Sequence, residues 1–304
     1  MAGAVYDRGY RPYEGARGGR REARYALFRA SVRRALGWRR PWRQKVVPFV
    51  LLAIVTVPAV VNVGVAYLTR DTPASEIRFI TYRDYVGVSN ALLVFVALTA
   101  PDIICPDRRQ RVLPLLFARP LTGVDYVLAK VGSMVAILFA FSFIPQVVLF
   151  VGQMLVSKDG ALSYLRDNAE VLWQVPIAVA LLALYYAAIG VAIASLTTRR
   201  IIAGALIIGL FIVTSIVSSV LVQPQVIQVS DGGVFTMRSP SAAPLVDLLG
   251  LPLVLRDLVF LGHVDPSHPM AGLARGGLYA VVVFIAVVTA ALVTLFLRYD
   301  EVER

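Results

Sequence analysis

Long apolar runs dominate the sequence, and few polar side chains interrupt them. A helix needs about 20 apolar residues to cross a hydrocarbon core of about 30 Å. A helix of a soluble protein would instead carry polar residues at regular positions along one face. Six runs are long enough: 46–68, 86–104, 126–156, 173–196, 201–222 and 276–297. The pattern therefore predicts an all-α polytopic membrane protein with six transmembrane helices.

Composition agrees with this class. Of 304 residues, 58% are hydrophobic and 16% are charged, and the mean hydropathy is +0.72. The first apolar run begins too late and is too long for the apolar part of a cleavable signal peptide. The single cysteine, Cys105, excludes a disulfide within one chain.

Positive charge is concentrated before the first run. The first 45 residues contain twelve Arg and one Lys against three acidic residues, which accounts for nearly all of the net charge of +11. The positive-inside rule then predicts a cytosolic N-terminus. Basic residues recur after spans two and four, at Arg108, Arg109, Arg111, Arg119, Arg199 and Arg200. These charges predict six spans in the cytoplasmic (inner or plasma) membrane, with both ends of the chain in the cytosol.

The region before the spans has two parts. Residues 1–21 are rich in Gly, Arg and Tyr and show no apolar period, which predicts a flexible basic cytosolic tail. Such a composition can bind nucleic acid, but a tether to anionic lipid or to a partner subunit is favoured, so no nucleic-acid partner is expected.

Residues 22–45 have a different pattern. Tyr25, Phe28, Val32 and Leu36 fall near one helical face, and arginines fill the remainder. This predicts an amphipathic helix at the membrane interface. The alternative is an ordinary cytosolic helix packed on a partner. The transmembrane domain then occupies 46–304.

Charged residues are almost absent from the six runs. Proton- or sodium-coupled transporters usually keep a carboxylate, His or Lys at membrane depth, so this absence disfavours ion-gradient coupling. The milder polar groups either bond one helix to another or line a substrate path. The candidates for such a path are Asn62, Asn90, Gln146, Gln153, Tyr185, Tyr186 and Ser215.

Small residues recur in two neighbouring runs. Gly190 lies in span four and Gly204 in span five, together with several alanines. Small side chains let helix backbones approach closely, so spans four and five are predicted to pack tightly.

The segment between spans five and six, 223–274, is predicted to be external. Two β-prone strips around a turn signal predict a hairpin over 226–237, and the interrupted apolar stretch 244–261 predicts short helices. His263, Asp265 and His268 match no established zinc spacing, so no metal site is expected.

Catalytic motifs are missing from the sequence. It contains no phosphate-binding GxxxxGK[ST] loop, no HExxH and no GxSxG. We therefore expect no catalytic residues, no cofactor bound by this chain and no ATPase activity of its own.

One segment carries a resemblance to a known family. The stretch DRRQRVLPLLFARPLT (107–122), followed by YVLAK (126–130), resembles the coupling segment after the second span of type-2 ABC export permeases, the type V exporter superfamily. The predicted topology resembles that family along the whole chain. Two positions depart from its pattern: Arg111 stands where many relatives have Gly, and Pro114 lies inside the helix.

The resemblance implies a mechanism and partners. Such permeases pair with a second permease copy or paralogue and with two cytosolic ATP-binding subunits, which hold ATP and Mg. The implied coupling segment is 105–125. Its implied contact residues are Arg108, Arg109, Arg111, Leu113, Leu115, Leu116 and Phe117.

The function expected from these features is export of a hydrophobic or amphipathic substrate, such as a lipid, drug or antibiotic. A basic loop bound only to lipid headgroups is the alternative for the coupling segment. For the whole chain the alternatives are a channel or secondary transporter, and a non-transporting membrane anchor or sensor.

Overall fold

Helices make up most of the chain in the computed structural model, which describes residues 19–37, 42–70, 80–86, 89–117, 121–158, 160–222, 224–228, 234–238 and 241–303. The tail 1–18 lies outside these ranges. The helices are α1 (Arg20–Ala35), α2 (Trp42–Leu68), α3 (Tyr82–Val86), α4 (Ser89–Arg109), α5 (Leu113–Phe117), α6 (Gly123–Val156), α7 (Ala161–Asp167), α8 (Val171–Leu196), α9 (Arg200–Leu221), α10 (Leu251–Leu261) and α11 (Gly276–Glu303).

Six helical segments in the described chain are long and apolar enough to cross a membrane. They are Pro48–Leu68, Tyr82–Arg109, Gly123–Val156, Val171–Leu196, Arg200–Leu221 and Gly276–Asp300, called spans one to six below. The prediction of an all-α polytopic fold with six spans is thus confirmed, and each predicted run lies within a few residues of its helix.

Spans two and four form the centre of the bundle. In their most apolar windows, 75% and 72% of the residues are buried inside the protein, against 17% to 22% for spans one, five and six. Such a central position needs close helix contacts, which small residues allow. The outer spans keep wide apolar faces that suit lipid or a second membrane subunit.

Gly190 and Gly204 allow close packing of spans four and five, and the helix that they approach is span two. Gly190 of span four packs on Val96 of span two, and a Cβ atom at Gly204 of span five would lie 2.8 Å from the Ala97 carbonyl oxygen of span two. Their closest approaches are therefore to span two, because that helix lies between its neighbours at the centre of the bundle.

An aromatic cluster joins spans four, five and six. Tyr185 stacks on Phe284 with ring centroids 5.2 Å apart, and Tyr186 stacks on Phe211 at 5.2 Å. Stacked rings add to the stabilisation from burial.

The segment between spans five and six has the predicted parts. Strand β1 (Pro224–Gln228) pairs antiparallel with β2 (Val234–Arg238), with Val226 opposite Thr236, which confirms the hairpin. A 3-10 turn (Ala243–Val246) and α10 follow it, as the interrupted apolar stretch predicted. We call this end of the bundle the loop end, and the opposite end, which carries α1 and residues 107–125, the basic end.

The helix before span one is shorter than the predicted 22–45. Helix α1 ends at Ala35, and Gly37 follows with φ 68°, a left-handed conformation that ends helices at glycine. Trp42 already belongs to α2. Tyr25 is 64% exposed and stacks on Phe28, which belongs to the same predicted face.

Candidate functional site

The basic end is built around the exit of α4. The amide of Val112 bonds the Asp107 carbonyl at 3.1 Å, and the amide of Arg111 bonds the Arg108 carbonyl at 3.3 Å. This pair of bonds is a Schellman motif, which requires a left-handed residue after the helix. Arg111 fills that position with φ 50°. The chain therefore turns sharply out of span two.

The start of α6 is fixed just as firmly. Thr122 Oγ1 accepts the Asp125 amide at 3.3 Å, and Asp125 Oδ2 accepts the Thr122 amide at 3.2 Å. This reciprocal capping box satisfies two amides that a helix start leaves open. The short helix α5 lies between these two fixed helix ends.

Asp107 forms ion pairs with residues of two helices, α1 and α6. Its Oδ2 lies 2.6 Å from Lys130 Nζ of α6, and Arg34 of α1 donates to its Oδ1. The Tyr126 hydroxyl also donates to Asp107 Oδ2 at 3.1 Å, and Lys130 donates to the Ile103 carbonyl at 2.9 Å. A buried charge pair is tolerated when its hydrogen bonds are satisfied in this way. This network holds α1, α4 and α6 in one arrangement.

Asp125 makes a second connection to α1. Its Oδ2 lies 2.5 Å from Arg20 Nε, and its Oδ1 lies 3.6 Å from Arg24 Nη1. Arg20 also donates to Thr122 Oγ1 at 3.0 Å. Helix α1 is thus joined to both ends of the segment 107–125, near its own C-terminus through Asp107 and near its N-terminus through Asp125.

The predicted contact residues divide into exposed and internal groups. Arg109 and Arg111 are exposed at the tip of the turn. Arg108 instead donates to the Ser195 carbonyl at the end of span four. Leu113 is buried in the protein's own core, and Leu116 is half-buried against it.

The side chains of Leu115 and Phe117 lie outside the described residues. The described part of the turn exposes the charges of Arg109 and Arg111, and the apolar face predicted at Leu115 and Phe117 stays a prediction. Leu113 packs inward because the Schellman turn directs the start of α5 back towards the bundle. Contact of this surface with an ATP-binding subunit stays a prediction.

Two further contacts tie this end to spans four and five. Arg200 Nε lies 2.7 Å from Asp102 Oδ1 of span two. The Cys105 thiol lies 3.7 Å from the Ala194 carbonyl and 3.6 Å from that of Thr197. Displacement of the turn would thus reach spans two, four and five together.

The candidate substrate-path residues are not brought into one path. Gln153 Nε2 donates to Asn62 Oδ1 at 2.7 Å, which joins spans three and one. Tyr185 and Tyr186 belong to the aromatic cluster, Asn90 is exposed and Ser215 is half-buried. Gln146 is buried, and its amide has no hydrogen-bond partner in the part of the chain that the structure describes. These residues therefore serve different parts of the bundle.

At the loop end, Asp265 is a structural residue. Its carboxylate accepts from the Ser267 hydroxyl at 2.6 Å, the Ser267 amide at 2.9 Å and Arg83 at 2.8 Å. These bonds lower the pKa of Asp265 from 3.8 to about 2. Among the described residues no group of three His, Cys, Asp or Glu side chains is placed to hold a metal ion.

Part of the basic end could be anticipated from the sequence. Asp107 and Asp125 are acidic residues on either side of a strongly basic segment, and that contrast marks them as candidates for ion pairs without indicating their partners. No protein-family model matches the chain, and no curated protein matches it. Its function must therefore be argued from these contacts.

Proposed function

We propose that the chain is the membrane-spanning permease subunit of an ATP-driven ABC export complex, with both of its ends in the cytosol. The observation that carries the proposal is the attachment of α1 to both flanks of the coupling segment, at Asp107 and Asp125. A partner that pushes on the turn between them would move α1, α4 and α6 as one unit.

The exposed charges of the turn support docking to a cytosolic partner. Arg109 and Arg111 extend from a short, capped element and do not pair with the chain's own carboxylates in the described structure. Rim charges of this kind steer association and set specificity more than they set affinity. The complementary surface on the ATP-binding subunit would be acidic.

The positions of the buried charges favour an energy source other than an ion gradient. Lys130 and Asp107 are buried, but they lie at the basic end and neutralise each other. A proton- or sodium-coupled transporter would place such groups near mid-span, along the ion path. This distribution supports ATP-driven coupling over the alternative of a secondary transporter.

The wide apolar faces of spans one and five support assembly within the membrane. Only 17% and 22% of their most apolar windows are buried inside the chain. A second permease copy or paralogue would cover part of these faces, and lipid would cover the remainder. The neutral bundle suits a hydrophobic or amphipathic substrate.

Purification from the native membrane in mild detergent tests the proposal. We expect a protein with an ATP-binding cassette to co-purify in equimolar amount, together with ATP hydrolysis that the isolated chain lacks. A chain that purifies alone, or conducts ions without ATP in liposomes, would contradict the proposal.

A further inference from the structure

An apolar groove lies between α1, span one and span three. Its volume is about 330 Å³. Phe95 of span two and Phe141 of span three form its inner wall and stack with ring centroids 4.1 Å apart. Every described residue that lines the groove has an apolar side chain. A polar headgroup therefore finds no partner inside the groove, whereas a hydrocarbon chain fits its lining.

The groove is open to the outside of the bundle. Phe49 of span one and Ile144 of span three are 56% and 44% exposed. Ala136 and Ala140, which lie one turn apart on span three, are exposed as well. These residues belong to faces that a membrane would surround, so lipid can reach the groove directly from the side.

The groove extends along one leaflet from the basic end. Span three starts at that end, and α1 packs on it where a Cβ atom at Gly132 would lie 3.9 Å from the Phe28 ring. From Gly132 to Ile144 the helix rises about 18 Å, at 1.5 Å per residue. One leaflet contributes about half of a hydrocarbon core of about 30 Å. The groove thus has about the length of one acyl chain, with α1 at its headgroup end.

The parts of the groove on spans one and three lie at the same depth. Both spans run from the basic end to the loop end, and Gln153 Nε2 donates to Asn62 Oδ1 at 2.7 Å. Pro48 and Ala140 line the groove, and each lies nearly four turns before its residue of this bonded pair. One straight chain can therefore contact both spans.

Two arginines of α1 border the groove. Arg29 and Arg33 each follow a residue that lines it, and they lie about 100° further round the helix. Both are exposed, and they are one turn apart, so their guanidinium groups can lie side by side. Glu22, the one acidic residue of α1, lies two turns before Arg29, about 10 Å along the axis, which is too far for an ion pair.

The other side of α1 uses its arginines differently. Asp125 holds Arg20 and Arg24, and Asp107 holds Arg34. Arg29 and Arg33 form no ion pair with a carboxylate in the part of the chain that the structure describes. Two adjacent guanidinium groups of this kind suit a phosphate, which accepts several charge-assisted hydrogen bonds.

We propose that the groove binds one anionic phospholipid of the leaflet at the basic end. One acyl chain fills the groove, and the phosphate lies against Arg29 and Arg33. The lipid thereby holds α1, the helix that is joined to both ends of the segment 107–125, at the membrane surface. This site belongs to the chain alone, so it holds or fails separately from ATP-driven export.

Native mass spectrometry of the full chain, delipidated in detergent, counts bound lipids and distinguishes them by mass. The probes are dioleoylphosphatidylglycerol and dioleoylphosphatidylcholine, which have the same chains and differ in headgroup charge. We expect the first phosphatidylglycerol to bind more tightly than later ones and more tightly than phosphatidylcholine.

The arginine pair should set the preference for the anionic lipid. Arg29→Gln with Arg33→Gln should raise the dissociation constant of the first phosphatidylglycerol about 20-fold to 30-fold, since each arginine at an anionic headgroup changes binding about fivefold. The change for phosphatidylcholine should be much smaller. Arg109→Gln with Arg199→Gln is the matched control, because it removes the same charge from two exposed arginines at the basic end, and it should leave both constants unchanged.

The groove itself should set the affinity for the chain. Ala140→Phe fills part of the groove from an exposed position. It should raise the dissociation constants of both lipids about tenfold, the loss expected when about two methylene groups are no longer buried. Ala286→Phe, at an exposed alanine of span six, is the matched control and should leave both unchanged.

Equal affinity of the wild-type chain for the two lipids overturns the proposal, as does equal weakening by the two arginine pairs. Unchanged binding in Ala140→Phe overturns it as well, because the chain would then lie elsewhere. A wild-type dimer that excludes lipid and is disrupted by Ala140→Phe would identify the groove as an interface with a second copy, and it too overturns the proposal.

Discussion

Lys130 Nζ lies 2.6 Å from Asp107 Oδ2, and the two side chains are only 2% and 4% exposed although they belong to different helices. This ion pair fastens the last turn of α4 to the early turns of α6. It holds together the two helix ends between which the proposed coupling element lies.

Removal of one partner should destabilise the protein strongly. Asp107→Ala leaves the Lys130 ammonium buried without its counter-charge, and we expect a loss of about 3–5 kcal/mol in the free energy of unfolding. Reversible unfolding in mixed detergent micelles measures it. The double variant Asp107→Leu with Lys130→Met should recover most of the loss, since an apolar pair has no buried charge. Equal losses in the single and double variants would show that the charge pair is not the cause.

Arg111 should be a strained position. Its φ of 50° places a non-glycine residue in the left-handed region, which costs about 1–2 kcal/mol. Arg111→Gly should therefore raise the unfolding free energy of the isolated chain by about 1 kcal/mol. Arg109→Gly, within the last turn of α4, should lower it by about 1 kcal/mol. Destabilisation by both glycines would contradict the left-handed assignment.

Helix α1 should loosen when its contacts to Asp125 are removed. Arg20 and Arg24 are 53% and 42% exposed, so their ion pairs contribute roughly 1 kcal/mol together. In Arg20→Ala with Arg24→Ala, amides of α1 should exchange hydrogen about fivefold faster. Mass spectrometry of the α1 peptides measures this rate. Arg21→Ala, at an exposed neighbouring position, is the control, and the same increase in exchange rate there would show that the lost ion pairs are not the cause.

The loop end should weaken in acid. The bonds from Ser267 and Arg83 lower the pKa of Asp265 to about 2, against 3.8 for a free aspartate. Their stabilisation is complete above about pH 4 and is lost as the pH falls through about 2. The melting temperature of the wild type should therefore fall towards that of Asp265→Asn as the pH is lowered from 5 to 2. A constant difference between the two proteins over this range would contradict the assignment.

The six spans could be predicted from sequence because their signal is additive. Each apolar residue contributes independently to partition into a membrane. A run such as 201–222 can therefore be recognised as a span whichever helices it packs against. The hairpin at 226–237 was also predictable, since turn and strand residues are local signals.

Contacts between distant segments were not predictable in the same way. Arg34 and Asp107 are 73 residues apart, and nothing local to either residue indicates the other. The inward position of Leu113 depends on the left-handed turn at Arg111. Glycine is the usual sequence signal for such a turn, and arginine does not indicate it. Asn62 and Gln153 bond each other in one part of the bundle, whereas Tyr185 stacks on Phe284 in another. Which spans pack together decides this, and the apolar pattern of each span does not indicate its neighbours.

Single-cysteine cross-linking at Arg111 tests whether the exposed turn contacts an ATP-binding subunit. Cys105 is the only native cysteine, so Cys105→Ser gives a background for Arg111→Cys and for the control Arg275→Cys, an exposed arginine at the loop end. Each is labelled with benzophenone maleimide in native membranes and irradiated. We expect an adduct with an ATP-binding protein at position 111 and none at position 275. Adducts at position 111 with lipid alone, or with the ATP-binding protein at both positions, would contradict it.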